Sequence, residues 1–350
     1  MMKKTSLKEL AEYLGLSQTT VSRGLADYPE VTSRTKERIR EAARKLNYAP
    51  SSTAQKLVHG KSLTIGHVIR LSAHMTLNPF YADFIAGAGE VYSKSGYDML
   101  ISMATPDHEL QTYRDLANSQ KVDGFILSEP VPDDPRIDLL LELQIPFALH
   151  GRSHAQNKPA KTYNWLDVNN KGGFEIATSY LLAQGHRDIA LVNGLETFDF
   201  AIRRKAAFLE TMKAHRTPIR SDWLISGDLS EHAGFEAACR LFSHEKSPTA
   251  ILCSSVFLAM GIQRALSDRG KILGRDVSLI CWDDCLSGFH KSTSTPQFTS
   301  MQSSIYAAGT GIATLLLDKI DTQDKSISTQ LLEAELVLGQ STGTGPYYQE

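Results

Sequence analysis

The sequence predicts a small all-α head carrying a helix-turn-helix, then an α/β body of two lobes, each a doubly wound parallel sheet. Three observations predict this fold class. Charge is split: residues 1–61 hold 12 Lys/Arg against 6 Asp/Glu, the remainder 25 against 33, so the net charge of −2 conceals a basic head and an acidic body. Two short amphipathic stretches joined by a glycine turn open the chain. From residue 62 onward, apolar strand-like runs alternate with helical periods in two series of about 100 residues each. A length of 350 residues, 42% hydrophobic and 22% charged, suits two or three globular domains and excludes a disordered or fibrous chain.

In the head, Leu7, Leu10, Ala11 and Leu14 fall on one face at helical spacing. Gly15 stands where a left-handed stop is needed, and Ser17 is a good N-cap for a second helix over 18–26. Val21 and Leu25 can pack on the first helix, leaving Gln18, Thr19, Ser22 and Arg23 on an adjacent arc. Small polar and amide side chains on such an arc suit base edges and phosphates, because Gln can pair with adenine through two hydrogen bonds. Val31-Thr32-Ser33 opens a third helix to about Leu46, with Thr35, Ile39, Ala42, Ala43 and Leu46 as its seam. Arg34, Lys36, Arg38, Arg40, Arg44 and Lys45 form its outer face, and Asn47 can close it. After Pro50, residues 51–60 form a capped segment of barely two turns, too short to be a stable helix alone.

In the body, strands are expected at 63–69, 97–102, 124–128 and 147–150, with helices near 80–95, 107–119 and 133–143. The second series is helix 170–184, strand 189–193, helix 200–214, a strand near 223–225, helix 230–243, strand 250–254, helix 256–268 and strand 277–282. In α/β sheets ligands lie beyond the carboxyl ends of the strands, here between the lobes. Gly60-Lys61-Ser62 imitates the end of a phosphate-binding loop, but Gln55 stands where its first glycine belongs. Gly87-Ala88-Gly89 lacks the third glycine of a dinucleotide fingerprint, and close helix packing is the expected reason for both glycines.

At this point a family is visible. The run Ser6-Leu7-Lys8-Glu9-Leu10-Ala11-Glu12-Tyr13-Leu14-Gly15-Leu16-Ser17 through Thr20-Val21-Ser22-Arg23 resembles the start of a bacterial lactose-repressor-type (LacI/GalR family) regulator, as do Leu46-Asn47-Tyr48-Ala49-Pro50 and Ala54-Gln55-Lys56-Leu57. In the body, Asn78-Pro79-Phe80-Tyr81, Val122-Asp123-Gly124, Asp167-Val168-Asn169, Gly185-His186-Arg187 and Cys281-Trp282-Asp283-Asp284 sit where the family keeps such motifs. The resemblance implies a periplasmic-binding-protein-like body. It divides the chain into a DNA-binding domain over 1–50, a hinge helix and linker over 51–61, an effector-binding and dimerisation domain over 62–340, and a tail over 341–350. The N-lobe is expected at about 62–161 plus 292–320, and the C-lobe at about 162–291 plus 321–340.

By the same resemblance, Gln18, Thr19 and Arg23 contact bases, and Ser17, Thr20, Ser22, Thr32 and Thr35 hold phosphates. Leu57, with Ala54 beside it, is levered into the minor groove. Arg204 and Asp283 are the charged anchors of the effector pocket, and Asn78, Phe80, His150, Ser254 and Ser303 fall on other cleft positions. A guanidinium fork and a carboxylate can hold vicinal sugar hydroxyls from two sides. His150-Gly151-Arg152 is similar to carbohydrate-responsive members, which favours a sugar, and among sugars an α-glucoside, over a purine. Two departures from the family pattern are Ser254-Ser255 in place of an Asn-Asp pair and Ala207 in place of glycine.

The expected function is therefore a transcriptional repressor of a sugar-utilisation operon, binding a double-stranded DNA operator as a homodimer under control of a small-molecule effector. The competing readings are a regulator answering to a non-sugar molecule or a protein co-regulator, an activator, and a solute-binding protein. The last lacks a reason for the basic head and would need a signal peptide, which Met1-Met2-Lys3-Lys4-Thr5-Ser6 does not supply. No enzyme motif, cofactor or metal set is expected: Cys239, Cys253, Cys281 and Cys285 read as reduced thiols, and His150 and His154 as unsuited to a metal. The absence of a C-terminal heptad points to no more than a dimer, and that of a long apolar run to a cytoplasmic location without membrane contact.

Overall fold

The helical periods of the head become three helices, each fixed by caps that the chain supplies within four residues. The computed structural model describes residues 5–48, 61–71, 79–157, 159–243, 245–288, 295–322 and 326–348. Ala54, Leu57 and Asn78 lie outside the described residues. The chain forms two units, Met1–Ser62 and Leu63–Glu350.

Helix α1 (Leu7–Leu14) begins in a capping box between Ser6 and Glu9 and ends at Gly15 with φ 66°. Helix α2 (Gln18–Leu25) is capped by Ser17, and α3 (Ser33–Lys45) by Thr32. Leu10, Ala11, Val21, Val31, Ile39, Ala42 and Ala43 form the small core they share. Gly24 lets α2 approach α3, because a Cβ there would stand 2.4 Å from Ile39 Cδ1.

The body contains two six-stranded sheets. In the first, β1 (Thr64–Arg70), β2 (Asp98–Ala104), β3 (Gly124–Leu127), β4 (Phe147–His150), β5 (Asn164–Val168) and β11 (Thr329–Leu332) lie in the order β11-β5-β4-β3-β1-β2, all parallel. Helices α4 (Pro79–Ser95) and α11 (Ile305–Thr322) cover one face, and α5 (Glu109–Asn118) and α6 (Pro135–Glu142) the other. In the second, β6 (Ile189–Asn193), β7 (Leu224–Ser226), β8 (Ala250–Cys253), β9 (Ser278–Asp283), β10 (Thr299–Gln302) and β12 (Glu335–Val337) run β12-β10-β9-β8-β6-β7, antiparallel only at β10–β12. Helices α7 (Asn170–Ala183) and α8 (Asp199–Ala214) cover one face, and α9 (Glu231–Leu241) and α10 (Val256–Ser267) the other. Burial on both faces keeps the inner strands mainly apolar: every residue of β6 and β8 is buried, and only the terminal Asn193 among them is polar.

The expected lobe boundaries need correction. Strand β5, placed in the C-lobe by the sequence, pairs with β4 through Leu149 and Trp165 and belongs to the first sheet. Strand β10, placed in the N-lobe, pairs with β9 through Thr299 and Ile280 and belongs to the second. Strand β11, placed in the C-lobe, returns to the first sheet beside β5, with Thr329 opposite Trp165. The chain changes lobe between β5 and α7, between β10 and α11, and between β11 and β12. The start of the tail is bonded to the second lobe. Ser341 is buried, donating to Leu279 O at 2.6 Å and accepting from Thr299 N at 2.8 Å, and Gly345 N reaches Gln184 O at 2.7 Å. These bonds strap the last described residues to the second lobe. Of the two glycines in Gly87-Ala88-Gly89, only Gly87 serves close packing: its Cβ would lie 2.1 Å from Tyr306 O, whereas Gly89 would meet Met99 Cε at 3.7 Å.

Candidate functional sites

The head presents the exposed side chains of Gln18, Thr19 and Arg23 along α2, opposite the inward-facing Val21 and Gly24. The hydroxyls pair across the helix starts. Ser17 Oγ accepts from Thr20 N at 3.0 Å and lies 2.8 Å from Thr20 Oγ1. Thr32 Oγ1 accepts from Thr35 N at 3.4 Å and lies 2.9 Å from Thr35 Oγ1. Each pair thus stands beside unpaired backbone N–H groups at a helix N-terminus, a place suited to an anion. Ser22 is half-buried on the same helix. Arg23 lies 3.8 Å from Glu30, an exposed pair worth little, so its fork can turn elsewhere.

The basic outer face of α3 divides in two. Lys36 donates to Asp27 O at 2.9 Å, and Arg40 to the Asp27 carboxylate at 2.9 Å, which is held below its ordinary range chiefly by Lys36. Those two cations staple the α2–α3 turn, where Asp27 has φ 60°. Arg34, Arg38, Arg44 and Lys45 remain exposed.

In the body, the carboxyl ends of the second sheet converge on Arg204, on α8 and 5% exposed. Arg204 Nε donates to Asn170 Oδ1 at 2.7 Å, and Nη1 to Ser254 O at 2.9 Å. Its guanidinium carbon lies 4.0 Å from the Trp282 ring centroid, 5.0 Å from Phe200 and 5.3 Å from Phe174. Burial lowers its pKa to about 10, opposed by Asp284 and Asp167, so it stays charged at neutral pH. Ser254 is buried and donates to Asn193 Oδ1 at 2.6 Å, while Asn193 donates to Ala201 O at 2.8 Å.

The two expected anchors are not partnered to each other in the bonds that define them. The Asp283 carboxylate accepts from Cys285 N at 2.8 Å and from Gln302 Nε2 at 3.2 Å. The carboxylate whose charge acts on Arg204 most is its neighbour, Asp284, which accepts from Trp282 Nε1 at 3.2 Å and is pushed up to about 6 by burial. Ser303 is buried beside this turn, its N–H donating to Asp283 O at 3.0 Å.

On the first lobe, His150 ends β4 with its ring 4.8 Å from Phe84, and burial lowers its pKa to about 4. Ser128, just beyond β3, buries a hydroxyl with no hydrogen-bond partner among the described residues. Arg152 donates to Asp167 at 2.7 Å and lies over Trp165 at 5.0 Å. Burial raises Asp167, and Arg152 opposes that rise.

The lobes touch at several points. Phe80 on α4 meets Phe257 on α10 edge to face at 5.4 Å. Asp199, which starts α8, takes His154 and Arg203 on its carboxylate and donates its own N–H to Pro130 O at 2.9 Å. Asp83 accepts from Ser287.

The structure therefore brings Arg204, Ser254, Asp283 and Ser303 to one edge of the second sheet, and Phe80 and His150 to the first lobe. Sequence reading missed Arg152, Asp167 and Asn170 as a connected set, although two of its motifs contain Arg152 and Asp167, and it missed Asp284. The usable signal was polar side chains at the carboxyl ends of apolar strands, as at Asn193 and Asp167. Phe200 sits by Arg204, and Phe198 stacks on Phe200 at 6.1 Å, while Trp165 serves Arg152. Among the described residues no group of three or more His, Cys, Asp or Glu could hold a metal, and no helix is long and apolar enough to cross a membrane.

Residues 6–51 match the model of bacterial regulatory proteins, lacI family, and residues 178–342 that of the periplasmic binding protein-like domain. The chain is 36% identical over 341 residues to the HTH-type transcriptional regulator AglR of Rhizobium meliloti (strain 1021), covering 97% of this chain and 95% of that protein. A crystal structure of the lac repressor dimer bound to operator and the anti-inducer ONPF superimposes with a TM-score of 0.81 at 24% identity, covering 97% of this chain and 99% of that one. A transcriptional regulator CelR–cellobiose complex does so with a TM-score of 0.71 at 24% identity, covering 97% and 100%. This chain belongs to the lacI family of bacterial regulatory proteins and is a DNA-binding transcriptional regulator of that type.

Proposed function

We propose that the protein represses a sugar-utilisation operon, and that a sugar bound between the lobes, an α-glucoside by preference, controls its hold on DNA. The observation that carries this reading is Arg204. It is buried, charged and fixed through Nε and Nη1 among three aromatic rings, while its other N–H donors have no partner among the described bonds. Such a fork, beside the carboxylates of Asp283 and Asp284, suits the vicinal hydroxyls of a saccharide. Asn78, Phe80, His150, Ser254 and Ser303 complete the proposed effector contacts. The likeness to AglR supports a regulator of this type, and the fold accommodates cellobiose in the CelR complex.

On DNA, Gln18, Thr19 and Arg23 read base edges; Ser17, Thr20, Ser22, Thr32 and Thr35 hold phosphates; Ala54 and Leu57 enter the minor groove. A homodimer places two such heads on a pseudo-palindromic operator.

The test is operator binding by fluorescence anisotropy, on a site selected from random duplexes, with and without sucrose, trehalose and maltose. The expected result is a log affinity that falls linearly with log salt and drops on adding one of the sugars. A salt-independent affinity overturns the DNA contacts, and an affinity that no sugar changes overturns the effector. Gln18→Ala should relax base preference by about 1–3 kcal/mol at one position of each half-site.

A further inference from the structure

A chain of bonds runs from the first lobe to Arg204. Arg152 Nε donates to Asp167 Oδ2 at 2.7 Å. Asp167 Oδ1 accepts from Val168 N at 2.8 Å and stands 3.5 Å from Asn170 Nδ2. Asn170 Nδ2 also donates to Val168 O at 3.0 Å, and its Oδ1 accepts from Arg204 Nε at 2.7 Å. Asn170 opens α7 directly after the point where the chain leaves the first sheet. All three polar partners, Asp167, Asn170 and Arg204, are buried.

This geometry leaves the Asn170 amide one orientation. Turned over, its oxygen would face both the Val168 carbonyl and the Asp167 carboxylate, and its NH₂ would face the guanidinium. Both contacts are repulsive, and burial keeps water from relieving them. The carboxylate thus biases the amide, and the amide fixes the tilt of the guanidinium against Trp282. Arg152, held on Trp165, keeps the carboxylate in place.

We propose that Asp167, held by Arg152, is a positioning residue for Arg204: it acts through Asn170, and so lets the first lobe set the aim of the anchor in the second. The proposal rests on Arg204 being an effector anchor, and its test separates the two ideas. In the full-length protein, crystal structures and calorimetric titrations with sucrose, trehalose and maltose would compare wild type, Asp167→Asn, Asn170→Asp and the double variant. Asp167→Asn keeps the volume but loses the charge. We expect the Arg204–Asn170 bond to loosen and sugar affinity to fall about 10-fold, the scale of one hydrogen bond to a charged group. Asn170→Asp sets two carboxylates face to face and should cost at least as much.

The double variant exchanges the pair. Its amide at position 167 can accept from Arg152 and donate to the carboxylate at 170, which again accepts from Arg204, although the bonds to Val168 N and O are lost. An affinity above that of Asn170→Asp alone is expected, a departure from additivity. Additive losses in the double variant, or an unchanged Arg204 position in Asp167→Asn, overturn the relay. Should no sugar bind wild type, the effector reading of Arg204 fails, while the crystal structures still decide the positioning.

Discussion

Asp83 on α4 of the first lobe accepts two hydrogen bonds of 2.6 Å from Ser287 of the second, one from its N–H and one from its hydroxyl. With Phe80 against Phe257, and His154 on Asp199, this contact holds the lobes together across the cleft. Exposed hydrogen bonds contribute little each, about 0.5–1.5 kcal/mol. In a hinge equilibrium, however, about 1 kcal/mol changes the ratio of closed to open forms roughly fivefold. Asp83→Ala should therefore shift the free protein toward the open form without unfolding it. Small-angle scattering should show a larger radius of gyration at an unchanged melting temperature, and an identical radius would mean that the contact does not govern closure.

Two glycines on one helix make a sharper test of packing. Gly87 faces the Tyr306 carbonyl at a distance where a Cβ would stand 2.1 Å from its oxygen, and Gly309 answers from α11 with 2.1 Å to Phe84 O. Neither backbone can yield without parting the helices. Gly87→Ala should cost at least 1–3 kcal/mol, the usual range for overpacking. Gly89→Ala meets only ordinary contact at 3.7 Å and should gain about 0.5–1 kcal/mol from helix propensity. Urea unfolding of the two variants should move the midpoint in opposite directions.

What could be seen in the sequence follows from the range of the forces involved. The head was legible because Gly15, Ser17, Thr32 and Asn47 each act on backbone groups within a few residues. Alternating apolar strands and helical periods likewise fixed the class of the body. Lobe membership was not local. Strand β5 carries the polar Asn164 and Asp167, and its place is decided by pairing with β4 and with β11, more than 150 residues further on. The choice between Asp283 and Asp284 was equally hidden. They stand side by side at the end of one apolar strand, and only the structure shows Asp283 taken by Cys285 N at 2.8 Å and Asp284 as the carboxylate acting most on Arg204.

Acid should weaken the body through His67. This side chain is fully buried, with Nδ1 3.2 Å from Tyr81 Oη and Nε2 3.0 Å from Tyr92 Oη, and burial lowers its pKa to about 4 from 6.5. Between those values the unfolded chain binds a proton that the folded chain refuses, so stability rises with pH. The contribution is complete above about 6.5 and is lost as pH falls toward about 4, at up to about 1.4 kcal/mol per pH unit. Asp284, raised to about 6, opposes this at lower pH, because there the folded state holds a proton that the unfolded state has released. Comparison with His67→Gln removes that complication. Urea unfolding from about pH 4.5 to 7.5 should give a shallower slope for the variant below about pH 6.5, and parallel curves would rule out His67 as the source.

On the proposed reading, the charges in the cleft should also select among sugars. Arg152 is bonded to Asp167 and Arg203 to Asp199, and Arg204 feels Asp284 first and Asp167 second. Asp283 adds a further carboxylate at the same edge. Each of these guanidinium groups thus already has an acidic neighbour, and an anionic ligand would add negative charge where none is missing. In a buried site that mismatch is expensive, whereas hydroxyl groups can use the open Arg204 donors and the carboxylate oxygens together. A neutral disaccharide should raise the melting temperature at neutral pH, while glucuronate and glucose 6-phosphate should not. Asp284 supplies an internal check on the cause. Its carboxyl takes up a proton as pH falls through about 6, so repulsion of glucuronate should weaken there. Any glucuronate binding should therefore strengthen between about pH 7 and 5 by more than the neutral sugar's does, and Asp284→Asn should abolish that difference. Tighter binding of glucuronate than of its neutral counterpart at about pH 7 would show that the cleft presents an uncompensated cation, contrary to this charge assignment.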